Sequence, residues 1–276
     1  ACQLNFTIER DTWKSIAKGI KKINKKIDNK PVVPYEIIAK ELFKAMYYNP
    51  IKAIELLEKS GTIKILMPEL LKMKGCPQPK NWHSEGDCWK HTILSLKNLE
   101  SKEFKKEFGN QPPIPEVIWG LLFHDIGKPY TIIKADRLRF NNHDSVSAEM
   151  FRKISERLKL SAAGLDIDEV EKIIAKHMLP THGKNSKMKD VTIEKYFFSP
   201  DFPGKKLLML IFADIMATVP PNSRPDFTEY NSIKKRINNL TKRTRAQKNL
   251  PKPIITGYDL MKKFKLKSGP QIGKLL

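Results

Sequence analysis

Six side chains of metal-binding type occur in a fixed order along the chain: His91, the adjacent pair His124-Asp125, His143, His177 and Asp214. Imidazole and carboxylate together suit hard-to-borderline divalent cations such as Mn, Fe, Co, Ni or Mg, and the donor types alone do not choose among these. A carboxylate beside a histidine can bridge two ions while the other groups close each coordination shell. A cation pair roughly 4 Å apart is a standard device for hydrolysing phosphate esters. The order H…HD…H…H…D therefore leads us to expect a dinuclear, metal-dependent phosphohydrolase centre.

The neighbours of these residues sharpen the expectation. Asp214 interrupts the apolar run Leu207-Leu-Met-Leu-Ile-Phe-Ala-Asp-Ile-Met-Ala217, and His124-Asp125 follows Val117-Ile-Trp-Gly-Leu-Leu-Phe123. An ionised carboxylate in such surroundings costs several kcal/mol unless a cation or strong donors compensate it. His177 continues the apolar face of Val170, Ile173 and Ile174. Each residue taken alone is more often a hydrogen-bonded core position than a ligand. Three apolar helices that each turn such a group inward point instead to a shared cation. His83, Glu85 and Asp87 stand close to His91 and either orient substrate and ligands or cap the helix. His182 either reaches the mouth of the site or is a loop histidine.

Helical elements must position these groups. Thr12 is read as the cap of a first helix with Trp13, Ile16, Ile20, Ile23 and Ile27 every three or four residues and lysines on its other face. A second begins near Pro34 and carries Ile37, Ile38, Leu42, Phe43 and Met46. A third starts at Pro50, with Ile51, Ile54 and Leu57 inward and Gly61 as its stop. After the breaker-rich loop from Gly75 to Gly86, one helix carries Trp89 and His91, and others cover about 115–126, 145–160, 167–178 and 204–218. Asp166 and Glu169 form a capping box. The one strand expectation is a hairpin of Thr131–Lys134 with Arg137–Phe140. The tail from Thr256 reads as a helix–turn–helix-like element, whose Gly269-Pro270 turn leads into a helix start suited to a phosphate. The fold expected is all-α, a helical bundle with at most one small β-hairpin. Its segments are 1–74, a helical neck and linker; 75–222, the metal-binding domain; and 223–276, a basic tail that breaks off inside a helix.

Composition bounds the partners. A chain of 276 residues, 40% hydrophobic and 29% charged, can bury substantial cores. Its longest apolar run is too short and too interrupted to cross a bilayer, so no membrane role is expected. Cys2, Cys76 and Cys88 form no paired framework, which argues against disulfide scaffolds and zinc ribbons and for a reducing cytoplasm. Of the net charge of +21, most lies at the ends: eight basic against three acidic residues in 1–30, and thirteen against one in 231–276. A lysine-rich background would have raised the middle equally, yet it holds thirty basic and twenty-six acidic groups. Basic ends of this kind attract polyanions by phosphate contact, so a nucleic-acid partner is expected, with Lys242, Arg243 and Arg245 as candidate contacts.

Three runs carry a resemblance: His83-Ser-Glu-Gly-Asp-Cys-Trp-Lys-His-Thr92, Leu122-Phe-His-Asp-Ile-Gly-Lys-Pro129 and Phe140-Asn-Asn-His143. They resemble the HD domain of bacterial tRNA nucleotidyltransferases and poly(A) polymerases. Gln3–Glu9 looks like that family's neck, Pro50–Leu57 and Pro68–Leu70 like its RNA-binding linker, and Thr256–Leu260 with Gly269–Gly273 like its C-terminal body. The likeness covers essentially the whole chain, and its HD core is the most specific part. It implies a helical HD fold in which His91, His124, Asp125 and Asp214 hold one ion, and Asp125 is shared with a second ion held by His143 and His177. Asp125 and Lys128 would be the catalytic residues, Lys128 steadying an anionic substrate oxygen with His83 nearby. The activity implied is hydrolysis of phosphomonoesters or 2′,3′-cyclic phosphodiesters in a cytoplasmic tRNA-processing protein. The family's polymerising head, a Gly-Ser turn followed by paired aspartates on a strand, has no counterpart here. It is expected upstream of Ala1, and nucleotide addition would require it. A stand-alone HD phosphohydrolase of small or cyclic nucleotides and a non-catalytic RNA-binding scaffold remain alternatives. None of these features fixes the oligomeric state.

Overall fold

The segment Val117–Phe123 has no polar face, and this dictates its place at the centre of the core. In the computed structural model, which describes residues 1–28, 30–179, 188–221, 224–248, 257–265, 269 and 272 (backbone alone at 244–248 and 257–259), every residue from Glu116 to Phe123 is buried. The elements before it are α1 (Arg10–Gly19), the strands β1 (Lys26–Ile27) and β2 (Lys30–Pro31), α2 (Tyr35–Tyr48), α3 (Pro50–Lys59), α4 (Thr62–Leu66), α5 (Cys88–Asn98) and α6 (Lys102–Phe108). The central helix is α7 (Pro115–Phe123). After it come α8 (Lys128–Thr131), β3 (Ile132–Lys134), β4 (Leu138–Phe140), α9 (His143–Leu158), α10 (Ile167–Ala175), α11 (Asp190–Phe197), α12 (Gly204–Ala217), α13 (Thr228–Lys248) and α14 (Gly257–Phe264).

Helix α7 packs against α2, α5, α9, α10 and α12. Each large apolar side chain it buries contributes roughly 1.5–3 kcal/mol relative to exposure, so its position is over-determined. Glu116, its one charge, accepts from Lys206 Nζ at 2.8 Å. Two compact units result, Ala1–Lys234 and Lys235–Leu276. The expected segments 1–74 and 75–222 both lie in the first, where Leu42, Met46, Ile54, Ile63 and Leu70 share one apolar core with Trp119 and Leu122. The second unit holds the end of α13 and α14.

The fold is mostly helical, as expected, and the 131–140 hairpin is present with Ile132 opposite Phe140 and Lys134 opposite Leu138. A second antiparallel pair, β1 with β2, corrects the expectation of at most one hairpin. Asp28, with a φ of 51°, turns the chain there, a conformation aspartate tolerates better than most residues. Glu9 rather than Thr12 caps α1, its carboxylate accepting from the Asp11 and Thr12 N–H groups at 2.9 and 2.8 Å. The helix stops at Gly19 and buries no residue, so Ile23 and Ile27 fall outside it and Ile16 stays exposed. Ile37 of α2 is exposed as well, while Ile38, Leu42 and Met46 are buried. Helix α3 begins at Pro50, and Gly61, at a φ of 80°, follows its end. Asp166 caps α10 through the Glu169 N–H at 2.9 Å, but the Glu169 carboxylate pairs with Lys206 instead of closing the box. Helices α6 and α11 are additions to the expected set, although Ser101 caps α6 through the Phe104 N–H at 3.1 Å. His182 and the residues expected to begin a helix after Gly269, Pro270 and Gln271, lie outside the described residues.

Gly127 shows how tightly the turn after α7 is held. A Cβ there would lie 2.6 Å from His143 O and 2.9 Å from Ser147 N, both backbone atoms of α9. Gly127→Ala should therefore destabilise the fold by about 1–3 kcal/mol, the usual cost of overpacking. A melting midpoint unchanged from the parent chain would contradict this close approach.

Candidate metal centre

Five elements deliver the six expected residues to one place. The last turn of α7 ends at Phe123, and His124 and Asp125 follow at once. Successive tight turns (Ile126 N–H to Phe123 O, Lys128 N–H to Asp125 O) then redirect the chain. The Gly127 N–H donates to Ser147 Oγ at 2.9 Å and fixes the turn on α9. His143 opens α9, His177 follows α10 by two residues, His91 lies on α5 and Asp214 in the last turn of α12.

Asp125 sits between two sets of imidazoles. Its Oδ2 lies 3.3 Å from His124 Nε2 and 3.9 Å from His91 Nε2, while its Oδ1 lies 3.4 Å from His143 Nε2 and 3.9 Å from His177 Nε2. Asp214 Oδ1 joins the first set, 2.7 Å from His91 Nε2 and 3.4 Å from His124 Nε2. In each of the trios His91–His124–Asp125 and Asp125–His143–His177, the candidate ligand atoms lie within 4.8 Å of one another.

The histidine tautomers follow from what faces the other ring nitrogen. Nδ1 of His124, His143 and His177 meets the carbonyl oxygens of Leu121, Phe140 and Ile174 at 2.8, 2.8 and 2.7 Å. A carbonyl only accepts, so each Nδ1 carries the proton and donates. Nδ1 of His91 faces Glu85 Oε1 at 2.8 Å, and Glu85 also receives His83 Nδ1 at 2.6 Å and the Val219 N–H at 3.2 Å. All four Nε2 atoms thus turn inward. This is how proteins orient imidazoles toward a metal, with the rear nitrogen held by a carbonyl or carboxylate.

Two further observations test whether a cation fits. His124 Nε2 and both Asp125 oxygens are buried without a hydrogen-bond partner among the described residues. His143 Nε2 and His177 Nε2 face each other at 3.2 Å, so the neutral rings would point two lone pairs at one another. Both features are costly in an apolar interior and are relieved by a shared cation. The cluster fits divalent-metal binding.

Electrostatics agree. Burial alone would raise both carboxyls, but the His124 charge, with Lys128 for Asp125 and His91 for Asp214, holds them well below the usual carboxylate range. Burial likewise opposes charge on His124, yet Asp125 and Asp214 carry its pKa up to about 10. His91 is also raised, its burial outweighed by Asp214 and Glu85. His177 goes the other way, driven down by burial and then by the charges of His143 and His124. The Asp214 side of the cluster thus demands positive charge, which protons supply when a metal does not.

The remaining expected residues are placed as follows. Lys128 is buried, with Nζ 2.6 Å from Asp125 Oδ2 in an ion contact and 5.6 Å from the Phe140 ring centre, and it donates to Gln78 Oε1 at 2.8 Å. Its ammonium is thus engaged with the Asp125 carboxylate. His83 packs edge-on against His91, centroids 5.1 Å apart. Asp87 caps α5 through the Lys90 N–H at 2.9 Å, whereas Glu85 stands behind His91. Lys242 and Arg243 are exposed on α13 in the second unit, and the side chain of Arg245 is outside the described residues. Gln78 is the residue of this site that residue type and spacing do not reveal. Its only signal is its place in the breaker-rich loop before His83. A cavity of about 620 Å³ between Tyr47–Ile51 and Leu96–Val117 contains none of the six residues. One of about 520 Å³ opens beside Gln78, His83 and Asp87.

These pKa directions set a pH dependence. His124 has a folded pKa near 10 against an ordinary 6.5, so its charge stabilises the metal-free fold fully below about pH 6.5 and this contribution is lost as pH rises through about 10. At pH 7.5 ligation must expel that proton. Metal uptake should release about one proton or more, and affinity should weaken about tenfold per unit of acidification between pH 9 and 7. Calorimetry in two buffers of different ionisation enthalpy measures the release, and its absence would mean that His124 is not a ligand.

The HD domain family model matches residues 101–211, a span that includes His124, Asp125, His143 and His177 and stops short of Asp214. Over 99% of its length the chain is 26% identical to an A-adding tRNA nucleotidyltransferase of Deinococcus radiodurans, of which it covers 59%. It is 34% identical over 41% of its length to a multifunctional CCA protein of Neisseria meningitidis, covering 25% of that protein. To the multifunctional CCA protein of Actinobacillus pleuropneumoniae it is 29% identical over 55% of its length, covering 35%. The chain therefore spans about three fifths of the first of these relatives and about a third or less of the other two. It carries an HD domain, set in a sequence related over essentially its full length to the tRNA nucleotidyltransferases.

Proposed function

We propose that the chain is the HD-containing body of a tRNA-processing protein and that its buried cluster is a dinuclear, metal-dependent phosphohydrolase site. The observation that carries the reading is the division of Asp125: one oxygen faces His91 and His124, the other His143 and His177. With Asp214 on the first side, His91, His124, Asp125 and Asp214 would hold one ion, and Asp125, His143 and His177 the other. Divalent cations there would supply Lewis acidity at phosphorus and an acidified water as nucleophile.

The chain's own residues do the rest. The Leu121, Phe140 and Ile174 carbonyls and Glu85 hold the Nδ1 protons and keep the Nε2 atoms aimed inward. Lys128 keeps Asp125 ionised and places a fixed positive charge beside the reacting phosphoryl group. Burial of the cluster excludes bulk water and so strengthens these interactions. The substrate class is a phosphomonoester or 2′,3′-cyclic phosphodiester. His83, less buried than the four inward-facing histidines, stands on the side from which it would arrive.

The Deinococcus radiodurans relative is named for acting on tRNA. With the excess of basic residues at both ends, tRNA is the polyanion this reading assigns, with contacts in the linker 1–74 that precedes the HD segment 75–222 and at Lys242, Arg243 and Arg245 of the tail 223–276 that follows it. Among the described residues no helix is long and apolar enough to cross a membrane. Three free cysteines suit the reducing cytoplasm where tRNA is processed.

Asp125→Ala should remove metal binding and lower hydrolysis of bis-p-nitrophenyl phosphate or 2′,3′-cyclic AMP by at least about a thousandfold, as when one member of a catalytic unit is lost, while leaving tRNA affinity intact. Joint replacement of Lys242, Arg243 and Arg245 by alanine should do the reverse, reducing the salt slope of tRNA binding by about one for each phosphate no longer neutralised. Equal effects of both changes on both activities would refute two separable sites.

A further inference from the structure

Gln78 presents a buried donor that nothing among the described residues answers. It lies in the loop before α5, which is tied down at Asp87 Oδ2 by the Gly75 N–H (2.8 Å) and at Cys76 O by the Cys88 N–H (3.1 Å). Its residue exposure is 5%, and Lys128 Nζ lies 2.8 Å from its Oε1. An ammonium can only donate, so the amide oxygen must face Lys128 and the amide nitrogen must point elsewhere. That nitrogen has no hydrogen-bond partner among the described residues. Buried amide groups are almost always satisfied, and an exception in a native fold calls for a ligand or a function.

Its surroundings say what would satisfy it. Gln78 lies one hydrogen bond from Lys128, whose Nζ is 2.6 Å from Asp125 Oδ2, so the amide belongs to the same polar chain as the shared carboxylate. It also lines the cavity of about 520 Å³ that it shares with His83, Ser84, Lys80 and Pro221. A group entering there meets Lys80 on the wall and Gln78, which has Lys128 bonded to it from behind and an N–H donor in want of an acceptor. An anionic oxygen answers both. We infer that Gln78 is a substrate-binding residue whose Nε2 donates to a non-bridging phosphoryl oxygen, orienting the ester over Asp125 while its Oε1 anchors Lys128. This rests on the phosphohydrolase reading and adds the side from which the phosphoryl group is gripped. It also accounts for the pairing of Lys128 with both Asp125 and Gln78: the lysine holds the amide in the one orientation that offers its donors.

Two substitutions separate donation from anchoring. Gln78→Glu keeps an acceptor for Lys128 and loses the donor, and Gln78→Met loses both without adding charge. Inorganic phosphate is the probe, titrated calorimetrically into the Mn²⁺-loaded full chain, with metal content and melting midpoint measured alongside. Both variants should keep their metal and midpoint and bind phosphate at least about tenfold more weakly, the consequence of losing a hydrogen bond to a charged group. Parent-like affinity in Gln78→Met overturns the inference. So does a loss confined to either variant: in Gln78→Met alone it marks a mere anchor, and in Gln78→Glu alone a mere charge effect. If the parent chain takes up metal yet neither binds phosphate nor hydrolyses phosphate esters, the phosphohydrolase reading itself has failed. Should either variant lose its fold, the glutamine side-chain NH₂ resonances of the parent decide, since one pair must shift on adding phosphate and a spectrum without such a shift overturns the assignment.

Discussion

An ionised carboxylate with 1% exposure at the end of an apolar helix is the constraint to which the rest of the site answers. Taking Asp125 out of water costs several kcal/mol, and the described residues offer it no hydrogen bond on either oxygen. What it offers is positive charge and metal-type donors: the Lys128 ammonium in contact with Oδ2, and imidazole nitrogens on both sides. A carboxylate so surrounded is poorly arranged as a structural ion pair, where its lone pairs would be met by N–H donors. It is well arranged to be shared between cations.

The fold keeps this costly arrangement by controlling the backs of the rings. Two of the three carbonyls that fix Nδ1 protons belong to the last turns of α7 and α10, where helices leave carbonyls without intrahelical donors. The third is at the end of β4, immediately before α9. Helix and strand ends thus serve both as terminations and as ligand holders. The hairpin β3–β4, small as it is, carries the chain from the His124-Asp125 turn to His143. Close approach of Gly127 to the first turns of α9 keeps those two segments in register.

Much of this is legible in the chain. The six ligand-type residues, their apolar flanks, the helices α2, α3, α5, α7, α9, α10 and α12 and the 132–140 hairpin all follow from residue type and spacing. The departures have physical causes. The regular isoleucines of the first helix suggest a longer amphipathic element, but a helix that buries no side chain gains nothing from its apolar stripe and ends at its glycine. The β1–β2 pair is two residues per strand, below the length at which alternation can be recognised. Helices α6 and α11 are short and bury one residue each, so their periodicity is weak.

Residue types and their order settle which chemistry is available: four imidazoles and two carboxylates on segments apolar enough to be buried, with basic residues concentrated at the two ends. They also establish the relatedness to HD-domain tRNA nucleotidyltransferases. Packing in three dimensions settles the rest. It divides the two oxygens of Asp125 between separate histidine sets, ties Lys128 to both Asp125 and Gln78, and stands Glu85 behind His91. Periodicity along a chain reports which face of an element is apolar. Distances between groups far apart in the chain depend on how those faces meet, and that is where the site is made.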